Sequence, residues 1–287
     1  MRSEAPPPSG FHRPARRRFG QNFLVAPAAA ERIVAALDPE PGEPVLEIGP
    51  GRGAITEPLV ARTGRIAAVE VDRDLARELR SRFDPERLVL LEGDALRLDL
   101  ADALRALGRD PDGRLAVAGN LPFNISKPFA AKMVRERERI GRAVLTFQRE
   151  VADRILAGPG SKEYGPISVL AGFAFRIESL FDLPPGAFRP RPRVVSTVTR
   201  WIPRRDGGLD PLLEDRLRAC LAACFGRRRR TLLANLREAV PGGAPRAVAL
   251  LEAAGLPPDA RAEAVPPSGF LALASEWPGG GARAGTL

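Results

Sequence analysis

The chain has 287 residues, 44% hydrophobic and 28% charged, with a net charge of +9 at neutral pH. It is long enough for one large or two smaller globular domains, and its excess of base over acid favours a polyanionic partner, nucleic acid ahead of membrane. A single histidine, His12, and two cysteines, Cys220 and Cys224, four residues apart, exclude Ser-His-Asp, Cys-His and histidine–metal chemistry, a disulfide framework and a zinc site, so no metal is expected.

Residues 1–18 are rich in Pro and Arg and read as a flexible basic arm. They lack the apolar h-region of a secretory signal, and no run approaches the ~20 apolar residues of a membrane span. A cytoplasmic protein is expected. Ala28–Leu37 has helical spacing, and strands and helices then alternate. Strands are expected at Val45–Ile48, Arg65–Val71, Leu88–Leu91, Leu115–Ala118 and Ala143–Gln148. Helices are expected at Ala54–Ala61, Arg73–Phe83 and Pro128–Glu138. This order predicts an α/β fold with a mostly parallel sheet, and ligands at the carboxyl ends of its strands. One more strand, Val194–Trp201, follows the Pro-rich turn Phe188–Pro192. Helical patterns then cover Leu212–Phe225, Arg228–Ala239 and Pro245–Ala254. The expected organisation is a main α/β domain over 19–205, a small all-helical domain over 206–275 and a disordered tail over 276–287, with a linker near 204–210.

Four strand ends carry residues suited to ligand chemistry. Gly49-Pro50-Gly51-Arg52-Gly53 follows the first strand, where glycines allow a tight turn and close approach to a ligand. Such turns serve NAD, FAD and S-adenosylmethionine alike. The dinucleotide spacing would place glycine at 54, where this chain has Ala54. Glu70 ends the second strand, where a carboxylate can accept from both hydroxyls of an adenosine ribose, or merely start a helix beside Arg73. Asp94 ends the third, as an acceptor for an adenine amine or as a helix cap. Asn120-Leu121-Pro122-Phe123 ends the fourth. An amide, backbone carbonyls and an aromatic ring suit a flat base with an exocyclic amine, although a plain strand-to-loop turn has the same look.

With these motifs in place, residues 16–270 resemble the ribosomal RNA adenine N6-dimethyltransferases. Phe19-Gly20-Gln21-Asn22-Phe23-Leu24, Glu47–Gly53, Asn120–Ser126 and Phe188-x-Pro190-x-Pro192-x-Val194-x-Ser196 carry the resemblance. It implies a Rossmann-like S-adenosylmethionine-dependent methyltransferase sheet with a C-terminal helical, RNA-binding domain. Cofactor contacts are implied at Asn22, Leu24, Gly49, Gly51, Glu70, Asp94 and Asn120. Asn120, Leu121, Pro122 and Phe123 would form the catalytic loop. Gln148–Arg154 with Pro159–Gly165, and Phe225–Leu232, resemble the branch that dimethylates two adjacent adenines near the 3′ end of 16S rRNA. The implied partner is 16S rRNA in the small subunit or its precursor, met by a monomer. The macrolide-resistance branch acting on 23S rRNA, a non-catalytic RNA-binding assembly factor, an NAD-type oxidoreductase and a DNA adenine methyltransferase stay open as alternatives. Phe123, Lys127 and Val195 stand where the small-subunit branch usually has Tyr, Thr and Asp. Arg13–Arg18 and Arg227–Arg230 are candidate RNA contacts, or simply solvated charge.

Overall fold

The computed structural model describes residues 21–205 and 210–278. In chain order its elements are β1 (Phe23–Leu24), α1 (Pro27–Leu37), β2 (Val45–Ile48), α2 (Thr56–Thr63), β3 (Ile66–Glu70), α3 (Arg73–Arg82), β4 (Leu88–Glu92), α4 (Leu100–Ala106), β5 (Leu115–Asn120), α5 (Ser126–Arg135), β6 (Ile140–Gln148), α6 (Arg149–Leu156), α7 (Pro166–Ala174), β7 (Phe175–Leu183), β8 (Phe188–Arg189) and β9 (Ser196–Pro203). Helices α8 (Pro211–Phe225), α9 (Leu232–Ala239), α10 (Gly243–Ala253) and α11 (Pro267–Ser275) follow.

Seven strands form one sheet in the order β4-β3-β2-β5-β6-β9-β7. The first five run parallel; β9 and β7 are antiparallel additions at one edge. Parallel strands are covered on both faces, so they read as nearly continuous apolar runs. Leu46, Ile48, Val69, Val117 and Leu145 face a core shared with α4, α5 and α7. Val45, Ala68, Ala118 and Val144 face α1, α2 and α3. Strand order reverses between β2 and β5, which opens a crevice at their carboxyl ends.

The first core continues into the C-terminal helices, where Leu217, Leu236, Leu250 and Phe270 are fully or almost fully buried. Glu214 of α8 accepts from both Arg218 and Arg137, and all three are buried. This arrangement joins α8 to the segment after α5, and losing one partner would strand a buried charge.

Several boundaries move from their expected places. The turn after Gly53 occupies two more residues, so α2 starts at Thr56. The Arg-rich run falls in a turn because Thr231 caps α9, its side chain accepting from the Ala234 N–H at 3.3 Å. The strand expected over 194–201 is shifted two residues onward, to Ser196–Pro203. β7 has no clear alternation, since most of its residues lie partly exposed at the sheet edge. Among the described residues, no helix is long and apolar enough to cross a membrane.

Candidate active site

The crevice holds a cavity of about 310 Å³, within the ~300–1,000 Å³ typical of small-molecule sites. Asn22, Leu24, Gly49, Gly51, Glu70, Asp94, Asn120, Leu121, Pro122 and Phe123 all line it. The structure therefore gathers every residue expected for the cofactor site and the catalytic loop into one place. Arg13–Arg18, Phe19 and Gly20 lie outside the described residues.

The glycine turn is shaped by its backbone. Gly49 and Gly51 have φ of +64° and +57°, a region costly for residues with a Cβ. A Cβ on Gly51 would also stand 3.0 Å from the Phe23 ring. Short strand β1, paired with β8, thus closes directly over the turn. The Arg52 guanidinium lies 4.7 Å from the same ring's centroid.

Glu70 is buried, and its two oxygens accept from the Gly51 N–H at 3.1 Å and the Asp72 N–H at 2.9 Å. Burial raises its pKa, opposed by those N–H groups. It is not a helix cap: Asp72 takes that place, accepting from the Asp74 N–H at 3.0 Å. Asp94 caps a short turn through Oδ1, which accepts from the Leu96 N–H at 2.9 Å. Its Oδ2 accepts nothing among the described residues.

The loop after β5 is held from several sides. The Asn120 amide donates to the Asn22 carbonyl at 3.0 Å, and the Leu121 N–H donates to the Thr146 carbonyl at 3.3 Å. The Pro122 carbonyl accepts from the Ile125 N–H and the Ser126 hydroxyl, each at 3.1 Å. No described donor reaches Asn120 Oδ1 or the Leu121 carbonyl. Two acceptors are thus left at the cavity edge, beside the half-buried Phe123.

Sequence reasoning passed over Glu47 as a site residue. It lines the cavity, is 1% exposed, and accepts from the Thr56 hydroxyl at 2.6 Å. Burial pushes its pKa up to about 8; the Thr56 bond opposes the rise and Glu70 adds to it. Its signal was present in the lone acid of Val45-Leu46-Glu47-Ile48. Val71, 45% exposed, Leu75 and Ala95 also line the cavity and supply apolar surface.

The Arg227–Arg230 turn is partly neutralised. Arg227 and Arg230 meet Glu238 at 3.5 and 2.5 Å, and Arg228 meets Glu263 at 3.2 Å. Arg228 and Arg229, with Arg154, Lys162 and Arg261, line a second cavity of about 340 Å³ that also contains Glu163 and Glu263.

Residues 12–276 match the family described as ribosomal RNA adenine dimethylase. A protein of Acidobacterium capsulatum named ribosomal RNA small subunit methyltransferase A is 45% identical over 94% of this chain and 91% of its own length. One of the same name from Aromatoleum aromaticum is 46% identical over 78% of this chain and 82% of its own. Two crystal structures share the fold at 24% identity. A dimethyladenosine transferase from Plasmodium falciparum has a TM-score of 0.71, covering 88% of this chain and 95% of its own; the 23S rRNA methyltransferase ErmE has 0.65, covering 89% and 99%.

The strand ends fit S-adenosylmethionine: a buried carboxylate beside a glycine turn, a free carboxylate oxygen at Asp94 and the apolar surface of Val71 suit a nucleoside with a charged tail. The chain belongs to the ribosomal RNA adenine dimethylase family and is an adenine N6-dimethyltransferase that uses S-adenosylmethionine.

Proposed function

We propose that this protein dimethylates N6 of two adjacent adenines near the 3′ end of 16S rRNA, acting as a monomer on the small ribosomal subunit or its precursor. The small-subunit assignment is supported by relatives of that name at 45–46% identity. The observation that carries the site reading is the pair of unengaged acceptors, Asn120 Oδ1 and the Leu121 carbonyl, at the rim of the cofactor cavity.

A base amine is a poor nucleophile because its lone pair is delocalised into the ring. Two acceptors bonding its hydrogens favour a pyramidal nitrogen whose lone pair points away from the ring. Asn22 fixes which end of the Asn120 amide faces the amine. Phe123 gives the extruded base a stacking surface, worth ~1–3 kcal/mol. Glu70, Gly51 and Asp94 hold the cofactor so that both reactants meet in line, which supplies up to ~7–11 kcal/mol of the barrier. When bound, S-adenosylmethionine would supply an electrophilic methyl group for N6 and a neutral thioether as leaving group, and the N6 proton would pass to water. No described carboxylate need act as base, because the nitrogen becomes acidic once alkylated. The helices after residue 210, with the cationic cavity around Arg229, form the proposed RNA-binding part.

Labelled S-adenosylmethionine with 30S or 23S substrates from an unmethylated strain tests the reading. Label is expected on two neighbouring adenines of 16S rRNA. Label confined to 23S rRNA would replace this reading with the macrolide-resistance alternative.

A further inference from the structure

The segment Arg189-Pro190-Arg191-Pro192-Arg193 joins β8 to β9, and no acid occurs between Asp182 and Asp206. Arg191 and Arg193 are exposed, while Pro192 between them is buried. Arg189 folds back, donating to the Phe188 carbonyl at 2.9 Å and the Gly186 carbonyl at 3.4 Å. Among the described residues neither Arg191 nor Arg193 has an ion-pair or hydrogen-bond partner. They differ in this from Arg227, Arg228 and Arg230, each of which lies in an ion pair, the first and last sharing Glu238.

Both ends of the segment are tied to supports of the active site. On one side β8 pairs with β1, at Phe23↔Arg189 and Leu24↔Phe188, and Asn22 just before β1 holds the Asn120 amide. On the other, the Val195 carbonyl accepts from the Arg149 N–H at 3.0 Å, and Ser196 pairs with Gln148 of β6. The Thr146 carbonyl of that strand receives the Leu121 N–H. Two prolines fix φ within the segment, so little backbone freedom is lost when it meets a ligand. Val194, 41% exposed, adds an apolar side chain next to the two cations. Two exposed guanidinium groups followed directly by an exposed apolar side chain suit a single nucleic-acid strand, with phosphates on the arginines and a base face on the valine.

We propose that Arg191 and Arg193 bind backbone phosphates of the RNA strand beside the extruded adenine, with Val194 under a neighbouring base. This rests on the reading of an rRNA adenine as the substrate. The segment then acts in substrate positioning and leaves cofactor binding alone.

The test compares the full-length chain with Arg191→Ala/Arg193→Ala and with Arg191→Lys/Arg193→Lys, using unmethylated 30S subunits. Each single-strand phosphate contact contributes about 0.7 to the slope of log affinity against log salt. The alanine pair should therefore flatten that slope by about 1.4, and wild type should lose about sevenfold more affinity between 50 and 200 mM salt. KM for the subunit should rise, kcat at saturation should hold, and S-adenosylmethionine affinity by calorimetry should not move. The lysine pair should keep most of the slope. Should the alanine pair fail to fold, Arg191→Gln alone is read the same way, with half the change. An unchanged slope and KM overturn the inference, as does a lysine pair as impaired as the alanine pair. Wild type that methylates no rRNA adenine sinks the functional reading itself, an outcome visible without any variant.

Discussion

Asn120 donates its side-chain amide hydrogen to the backbone carbonyl of Asn22 across 3.0 Å, although the two are 98 positions apart. A carbonyl can only accept, so this contact selects the amide orientation and turns Oδ1 away from Asn22. The segment before β1 therefore decides how the loop after β5 presents its amide to the cavity.

Asn120→Ala should remove this acceptor. Removing one group that stabilises a transition state costs about 10²–10³ in kcat. Methyl transfer to rRNA should fall by that order, while RNA affinity stays within about twofold. Asn120→Asp should fall too, because a carboxylate cannot donate to the Asn22 carbonyl. Single-turnover kinetics with pre-bound RNA checks both; near-wild-type transfer by Asn120→Ala would refute the assigned role.

Glu70→Gln keeps the shape of the side chain but weakens its bonds to the Gly51 and Asp72 N–H groups. Charge-assisted hydrogen bonds contribute ~1.5–3 kcal/mol each. S-adenosylmethionine affinity, read by calorimetry, should weaken by about 10–100-fold. An unaltered Kd would mean Glu70 serves the turn alone.

Gly51→Ala places a Cβ at φ +57° and 3.0 Å from the Phe23 ring. The backbone term alone costs about 1–2 kcal/mol, and Phe23 must also shift. Lower thermal stability together with weaker cofactor binding is expected. A variant matching wild type in both would show that β1 yields freely.

Glu47 gives a pH dependence of stability. Burial raises its pKa from 4.5 to about 8. Between those values the native protein holds a proton that the unfolded chain has released. This group's contribution to stability is therefore complete below pH 4.5, is lost as pH rises, and levels off above about 8. Glu47→Gln still accepts from Thr56 but does not titrate. Its stability should gain on wild type by on the order of a few kcal/mol between pH 5 and 8. Parallel denaturation profiles across that range would contradict the burial argument.

Phe123→Ala should cost ~1–3 kcal/mol of base binding, appearing chiefly in KM for the subunit. Phe123→Tyr should keep the stack. Equal KM values for all three proteins would show that the base rests elsewhere.

The sequence by itself determined the α/β class, the succession of strands and helices along the chain and the identity of the strand-end residues. Each of these depends on local periodicity: apolar runs at β2, β3 and β5, glycines after β2, and an amide with an aromatic after β5. Tertiary structure alone decided that Asn22 orients Asn120, that Phe23 closes over Gly51 and that Glu47 lies fully buried beside Thr56. It also decided that Arg227, Arg228 and Arg230 meet carboxylates while Arg191 and Arg193 stay unpaired among the described residues. Those outcomes depend on contacts between distant segments and on how much water each group loses. Both follow from strand order and packing, which local residue patterns do not encode.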